Sequence, residues 1–152
     1  MDVIQDKIDA LKRFQKQASQ YALDSLMDNE TKVLDLNRDW QLQGKGELND
    51  GIKGVDAYGE YHPYTVRIKK EKGQPYKRRT FKDTGAFHES FFLKRNKMSV
   101  RFDATDKKKK YLTTYNRGIN YDKRVFGLNE ESLKVARVLY VLPRLLKEIN
   151  KI

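Results

Sequence analysis

The stretch that decides the fold is Phe91-Phe92-Leu93-Lys94-Arg95-Asn96-Lys97-Met98-Ser99-Val100-Arg101-Phe102-Asp103-Ala104. Apolar residues at 98, 100, 102 and 104 alternate with polar ones, which is the period of a half-buried strand. We predict that this strand pairs with residues 91–95 across a turn at Asn96-Lys97. An antiparallel hairpin is therefore expected near the middle of the chain.

Amphipathic helices are predicted on both sides of this hairpin. Apolar residues recur at three- and four-residue steps along residues 3–27, which favours a helix. Asn129 is a suitable N-cap for a terminal helix over residues 129–151, in which Pro143 predicts a kink near Leu139 to Leu142. The expected fold class is α+β, with an amino-terminal helix, a small antiparallel sheet and a kinked carboxy-terminal helix in a single domain over residues 1–152.

Three further segments carry weaker patterns. Residues 31–42 fit either a strand or a turn of helix, and residues 61–72 fit either a short helix or an edge strand that ends at Gly73-Gln74-Pro75. Residues 44–59 contain five of the nine glycines, interleaved with Asn and Asp, which favours a glycine-rich loop or a pair of tight hairpins.

Composition excludes several classes of site. The chain has no cysteine, which excludes disulfides, a thiol nucleophile and Cys-based zinc sites. Its only histidines, His62 and His88, lack a cluster of partner ligands, so neither a metal nor another cofactor is expected. The amino terminus is acidic where a signal peptide is basic, and no apolar run approaches the roughly 18 residues of a membrane span. Secretion and membrane insertion are therefore not expected.

The formal charge of +11 is concentrated in one part of the chain. Residues 67–110 carry sixteen Lys or Arg against five Asp or Glu, and the flanking segments cancel at −4 and +4. Charge confined in this way indicates a surface for a polyanion or an acidic partner. The candidate contacts are Arg67, Lys69, Lys70, Lys72, Lys77, Arg78, Arg79, Lys94, Arg95, Lys97, Arg101, Lys107, Lys108, Lys109 and Lys110.

Two interpretations of this basic stretch stay open at the level of sequence. The side chains are suited either to phosphates of a nucleic acid or to salt bridges with an acidic neighbouring subunit. Five interleaved tyrosines are suited to stacking on bases or to covering the edge of a core or an interface. These are Tyr61, Tyr64, Tyr76, Tyr111 and Tyr115.

Asp83-Thr84-Gly85-Ala86 is the only short motif with a catalytic interpretation, because Asp-Thr-Gly is the active-site triplet of retroviral-type aspartic proteases. Two carboxylates that share a proton need a dry and symmetric site. Here Arg78, Arg79 and Lys82 crowd the triplet and would keep both carboxylates ionised. A protease therefore remains only a remote alternative.

A structural role for the same motif is favoured. Asp83 or Thr84 is expected to cap a short helix that runs from Gly85 to Ser90. Phe87 and Phe91, four residues apart, would then share the buried face of that helix. On this interpretation the motif positions apolar side chains and performs no chemistry.

The run from Arg79 to Phe92 resembles the Asp-Thr-Gly-x-Phe/Leu-x-x-Ser signature of tail-completion and minor structural proteins of tailed bacteriophages, through Asp83, Thr84, Gly85, Phe87 and Ser90. Residues 34–42 and 58–73 resemble a related group of prophage proteins of Bacteroidetes hosts. Taken together, the likeness spans residues 32–150.

The resemblance implies a non-enzymatic virion assembly protein of the head-to-tail junction, at the neck or in tail completion. Such a protein is a subunit of a homo-oligomeric ring near the DNA exit path and has no cofactor. Its implied partners are portal, adaptor or tail subunits, and it is assembled in the host cytoplasm before it resides in the virion. The alternative from another class is a sequence-independent nucleic-acid-binding protein.

Overall fold

The computed structural model describes residues 2–43, 61–77, 83–112, 115–116, 119–120 and 125–152. Its elements are α1 (Val3–Asp28), α2 (Glu30–Gln43), α3 (Pro63–Glu71), α4 (Ala86–Glu89), β1 (Phe91–Arg95), β2 (Val100–Ala104), α5 (Lys109–Leu112), β3 (Tyr115–Asn116), β4 (Ile119–Asn120), α6 (Glu130–Ala136), a π-helical turn (Arg137–Val141) and α7 (Leu142–Ile149). The predicted α+β class is confirmed. The predicted glycine-rich loop at 44–59 lies outside the described residues.

The long first helix begins and ends at polar caps. The Asp2 side chain accepts a hydrogen bond from the amide of Ile4 at 3.0 Å, which satisfies one of the free N–H groups of the first turn. At the other end the Asn29 carboxamide donates to the Ser25 carbonyl at 2.8 Å. Helix α1 thus confirms the helix predicted for residues 3–27.

The two segments that the sequence left undecided are both helical. In α2, residues Val33, Leu34 and Asn37 are buried, and their three- and four-residue spacing puts them on one helix face. Helix α3 starts with Pro63 in its first turn, where a missing N–H costs nothing. Gly73 ends it at φ +63°, a left-handed conformation that glycine adopts without strain.

The predicted hairpin is confirmed, with Phe91 paired to Ala104 and Arg95 paired to Val100. The turn is closed by the Asn96 amide, which donates to the Ser99 carbonyl at 2.8 Å. One face of the hairpin is packed inward and carries the buried residues Phe91, Leu93 and Ala104. The opposite face is turned to solvent.

The core is an aromatic cluster between the hairpin, α2 and α4. Phe87 and Phe91 meet edge to face with ring centroids 5.0 Å apart, and Phe126 lies 5.2 Å from Phe91. The predicted contact between Phe87 and Phe91 is confirmed. The prediction that Phe91 lies on the face of the short helix was wrong. The helix ends at Glu89 and Phe91 is the first residue of β1.

The carboxy-terminal helix begins at the predicted cap, because the Asn129 side chain accepts the amide of Ser132 at 2.7 Å. Its regular hydrogen bonding is interrupted by the π-helical turn just before Pro143. Proline has no N–H to donate to the Leu139 carbonyl, so the helix widens at this point. This turn lies where the kink near Leu139 to Leu142 was predicted, and the kink itself stays a prediction.

Helix α1 and the carboxy-terminal helix pack antiparallel. The Ser25 hydroxyl donates to the Tyr140 carbonyl, and the Arg144 guanidinium lies over the Tyr21 ring at 5.8 Å. Moving four residues toward the amino terminus of α1, from Ser25 to Tyr21, thus corresponds to moving four residues toward the carboxyl terminus of the other helix, from Tyr140 to Arg144. By this pairing Ile149, where α7 ends, lies level with about residue 16 of α1.

Two side chains of α2 tie this helix to the rest of the fold. The buried Asn37 carboxamide donates to the carbonyls of Val125 at 3.0 Å and of Gly127. A Glu30 carboxylate oxygen accepts from the Leu93 amide at 2.7 Å. In the ranges that the structure covers, no helix is both long and apolar enough to cross a membrane.

Candidate nucleic-acid interface

The solvent-facing side of the hairpin places two cations directly opposite each other. Lys94 of β1 is the cross-strand partner of Arg101 of β2, and both side chains are exposed. Like charges at directly opposed positions destabilise a sheet, because their side chains lie within about 5 Å of each other. This pair therefore favours an anionic group over the solvent-facing side of the hairpin.

A third cation joins this pair through a carboxylate. Asp103 lies on the same face and binds Lys109, which belongs to α5. Partial burial opposes ionisation of Asp103, but hydrogen bonds from Lys109 and the Ala104 amide outweigh it. Together with the charges of Lys109 and Lys94 they hold the pKa of this carboxyl below its usual value. The carboxylate stays ionised and holds Lys109 beside the pair.

A second carboxylate collects cations from separate parts of the chain. Asp83 lies 3.3 Å from the ammonium of Lys72 and 3.6 Å from that of Lys108, and the Gln74 carboxamide donates to its carbonyl at 2.9 Å. Hydrogen bonds from Lys72 and then Gln74, with the charges of both lysines, hold the pKa of Asp83 below its usual value.

The two clusters are neighbours, because Lys108 and Lys109 are consecutive. We call the five cations of the two clusters the basic ridge, and they are Lys72, Lys94, Arg101, Lys108 and Lys109. Two carboxylates, Asp83 and Asp103, lie among them. The ridge thus has a formal charge of +3 and joins α3, the hairpin and the start of α5.

The expected capping role of Asp83 was wrong. The N-cap of α4 is Gly85, at φ +99°, and the Thr84 hydroxyl accepts from the Ala86 amide at a long 3.4 Å. The Asp83 carboxylate instead forms ion pairs with the ammonium groups of Lys72 and Lys108. A carboxylate kept ionised by two lysines is poorly suited to share a proton with a second carboxylate, as an aspartic protease requires.

Ser90 is the C-cap of α4 and connects this helix to the end of the hairpin. Its hydroxyl donates to the Phe87 carbonyl at 2.8 Å and accepts from the Asp106 amide at 3.1 Å. The Asp-Thr-Gly segment, with Phe87 and Ser90, therefore organises the aromatic core on one side and the basic ridge on the other.

Two predicted contact residues bind other side chains of the same chain. Lys69 is only 6% exposed, and its ammonium lies 3.2 Å from the Gln74 carboxamide oxygen and 4.9 Å from the Tyr61 ring centroid. Arg95 binds Asp24 at 3.2 Å and Gln20 at 2.7 Å, which fixes the hairpin to α1. Alternation and charge alone could not reveal these partners, which come from distant parts of the chain.

The remaining predicted cations vary in their surroundings. Arg67 pairs with Glu71 at 3.4 Å, and Lys70 lies over the Tyr76 ring at 4.8 Å. The others with exposed side chains are Lys77, Lys97, Lys107 and Lys110. Arg78 and Arg79 fall outside the described residues, as do the side chains of Tyr111 and Tyr115.

The histidines and tyrosines have local roles. His62 accepts the Tyr64 amide at 3.3 Å as the N-cap of α3, and His88 is buried with its ring 5.5 Å from that of Phe91. Tyr64 is well exposed, whereas Tyr61 is partly covered. Among the residues whose positions are described, no three possible metal ligands come together.

A feature that the sequence did not predict is the exposure of apolar side chains on both terminal helices. On α1 these are Val3, Ile4, Ile8 and Leu11, and toward the carboxyl terminus they are Val138, Leu139, Leu142, Leu146 and Ile149. The apolar periodicity was visible in both helices, but periodicity indicates a covered face and does not say whether the cover belongs to the same chain.

Replacing Asp83 with asparagine is expected to destabilise the protein by less than about 1 kcal/mol near neutral pH, as for exposed ion pairs in general. The variant Asp83→Ala separates the two roles of this residue. If Asp83 were a helix cap, asparagine would be tolerated and alanine would not, whereas loss of the ion pairs destabilises Asp83→Asn and Asp83→Ala equally. Urea unfolding of both variants beside the wild type measures this.

The sign of the pH dependence follows from the lowered pKa. Asp83 contributes stability above its unfolded pKa, near 3.8, and this contribution is lost as the pH falls through the lower folded value. The difference between wild type and Asp83→Asn should therefore shrink as the pH falls below 3.8 and vanish once the pH is below the lowered folded pKa of Asp83. A difference that persists there would contradict the ion-pair role.

Comparisons of this chain with known protein families, with curated proteins and with solved structures gave no match.

Proposed function

We propose that this protein is a non-enzymatic assembly subunit of the head-to-tail junction of a tailed bacteriophage, located at the neck or in tail completion. The observation that carries the proposal is the set of exposed apolar side chains on both terminal helices. Contiguous apolar surface is costly to leave in water and typically marks a protein contact. The resemblance of residues 79–92 to tail-completion proteins supports the phage setting of that contact.

The basic ridge supports a position beside the DNA path. Cations held at opposed strand positions and around two carboxylates present a fixed positive surface, which attracts phosphates without reading bases. Portal, adaptor or tail subunits are the proposed neighbours in the virion. Neither the ridge nor the apolar faces requires a cofactor.

The location of the protein tests the proposal. Purified virions are incubated with gold-labelled antibody against the chain and viewed by electron microscopy. We expect label at a single vertex or along the tail. Uniform labelling of the capsid, or virions that never carry label, would refute the junction role.

The second candidate function is sequence-independent nucleic-acid binding outside the virion, and the opposed pair Lys94 and Arg101 favours it. The two functions are separated by the genes beside this one. Portal, capsid and tail genes as neighbours support the junction role, and replication genes support the second candidate.

DNA binding through the ridge has a measurable salt dependence. Each neutralised phosphate contributes roughly −0.9 to the slope of log affinity against log salt on duplex DNA. Replacing Lys94 and Arg101 together by glutamine should therefore flatten the slope by about 1.8 if both bind phosphate. Fluorescence anisotropy on duplexes of unrelated sequence, from low to physiological salt, gives the slope.

A charge-matched control is available on α1. Lys12 and Lys16 are exposed and lie outside residues 67–110, so their double replacement by glutamine removes the same charge elsewhere. We expect that control to keep the wild-type slope. An equal decrease of the salt slope in both double variants would mean that only net charge matters. If the wild type does not bind DNA at low salt, an acidic protein subunit remains as the partner of the basic ridge.

A further inference from the structure

The first three turns of α1 extend beyond the helix on which the rest of α1 packs. The α7 helix ends level with about residue 16, and α1 continues from there back to Val3, by on the order of 15–20 Å. Val3 and Ile4 are each 69% exposed. We call residues 2–11 the overhang.

The apolar stripe of the overhang continues the packed face of α1. Ile4, Ile8 and Leu11 follow the same three- and four-residue steps as Ala18, Ala22 and Ser25 farther along. In the second half of α1 this face lies against the carboxy-terminal helix, through Ser25 and its neighbours. In the overhang the same face lacks that helix, so its shape and chemistry suit another helix of the same kind.

The carboxy-terminal helix offers a matching stripe on its outer side. The Arg144 side chain faces α1, and Leu142 and Leu146 each lie two residues from it along α7, which is about 200° around a helix. Leu142, Leu146 and Ile149 are 45%, 50% and 37% exposed, respectively. Their spacing of four and then three residues equals that of Ile4, Ile8 and Leu11. Because this stripe faces away from α1, the overhang of the same chain does not cover it.

Charge distinguishes between the possible pairings. The overhang has three aspartates against one lysine, a net charge of −2. The carboxy-terminal helix with its last residues, from Glu130 to Lys151, has five cations against three glutamates, a net charge of +2. Two carboxy-terminal helices would repel each other, as would two overhangs, whereas an overhang and a carboxy-terminal helix attract.

We propose that the overhang of one copy of this chain docks on the outer stripe of the carboxy-terminal helix of the next copy. Such a contact joins two different surfaces, so it repeats from copy to copy and gives a ring when the rotation closes. The inference rests on the proposed function for its ring and supplies the surfaces of that ring. Its test uses the purified chain alone, so its failure is separate from failure of the virion location.

Sedimentation velocity over a wide concentration range measures the association. Wild type should form species larger than a dimer as concentration rises. Ile8→Gln, in the overhang, and Leu146→Gln, in the stripe, should each weaken association by tenfold or more, as central apolar contacts do. Met98→Gln is the matched control, because Met98 is 72% exposed on the hairpin turn and should leave association unchanged.

Mixing the two variants distinguishes the proposed contact from a symmetric one, in which two copies would use the same surface. Ile8→Gln keeps a working stripe and Leu146→Gln keeps a working overhang, so an equimolar mixture should form dimers and stop there. Circular dichroism on each variant should match the wild type, because all three positions are exposed.

Cross-linking gives a second, direct readout, since the chain has no cysteine. Ile8→Cys and Leu146→Cys are made in separate chains, mixed and mildly oxidised. We expect a disulfide-linked dimer in the mixture and little in either variant alone. A wild type that stays monomeric at every concentration, or equal cross-linking of Ile8→Cys with itself, would overturn the proposal.

Discussion

Replacing Phe91 with alanine is expected to lower the free energy of unfolding by about 3–5 kcal/mol, the usual cost of removing a buried phenylalanine ring. Phe91 is 5% exposed and touches the rings of Phe87 and Phe126 at centroid distances of 5.0 and 5.2 Å. The Arg38 guanidinium also lies over its ring at 5.9 Å. The loss therefore affects the hairpin, α2 and α4 together.

Urea unfolding followed by circular dichroism measures this loss. Met98→Ala, in the same hairpin but exposed, is the control and should change stability by no more than about 0.5 kcal/mol. A cost of less than about 1 kcal/mol for Phe91→Ala would mean that the aromatic cluster collapses without a cavity and is not the main core.

Replacing Asn37 with leucine is expected to cost about 2–4 kcal/mol, because a buried and a partly buried carbonyl group lose this donor. Asn37 is 1% exposed and its carboxamide donates to the carbonyls of Val125 and Gly127. Val125 is itself fully buried, so water does not readily replace the lost donor at its carbonyl. The chain entering the carboxy-terminal helix would therefore lose its attachment to α2.

The variant Asn37→Asp adds a pH signature. An ionised carboxylate facing two carbonyl oxygens is unfavourable, so its folded pKa would be raised above the unfolded value of about 3.9. A protonated Asp can donate a hydrogen bond, so the stability deficit of this variant should shrink as the pH falls toward about 4. A deficit that is independent of pH would argue against the donor role of Asn37. Asn150→Ala, at an exposed position, serves as the neutral control.

Periodicity was enough to predict the elements with a strong amphipathic pattern. The alternation from Met98 to Ala104 predicted the hairpin, and the helical repeats predicted α1 and the terminal helix. The predicted turn at Asn96-Lys97 was too short, because β2 begins only at Val100 and Met98 lies in the turn. The segment 31–42 stayed undecided because its apolar residues fit both a strand and a turn of helix, and the buried Asn37 adds no apolar signal. Only its distant partners, Val125 and Gly127, explain that burial.

The candidate site was less predictable, because the sequence gives the charge of a side chain but not the direction in which the side chain points. Lys69 and Arg95 belong to the basic stretch as much as Lys94 does. In the fold, however, Lys69 binds Gln74 and Arg95 binds Asp24. The role of Asp83 depended on two lysines that lie 11 and 25 residues away along the chain. Such contacts follow from the tertiary arrangement and leave no local signal.

The hydrogen bond from the Leu93 amide to Glu30 has a consequence for how copies of this chain meet. Leu93 pairs with Phe102, and its N–H points away from β2, toward the outer edge of the hairpin, where α2 supplies Glu30. An open edge with free N–H groups is a template on which a foreign strand adds and aggregation begins. Because the Glu30 carboxylate occupies this N–H, strand addition at that point would have to displace a charged acceptor. This contact therefore protects one N–H group of the hairpin edge against the addition of a foreign strand.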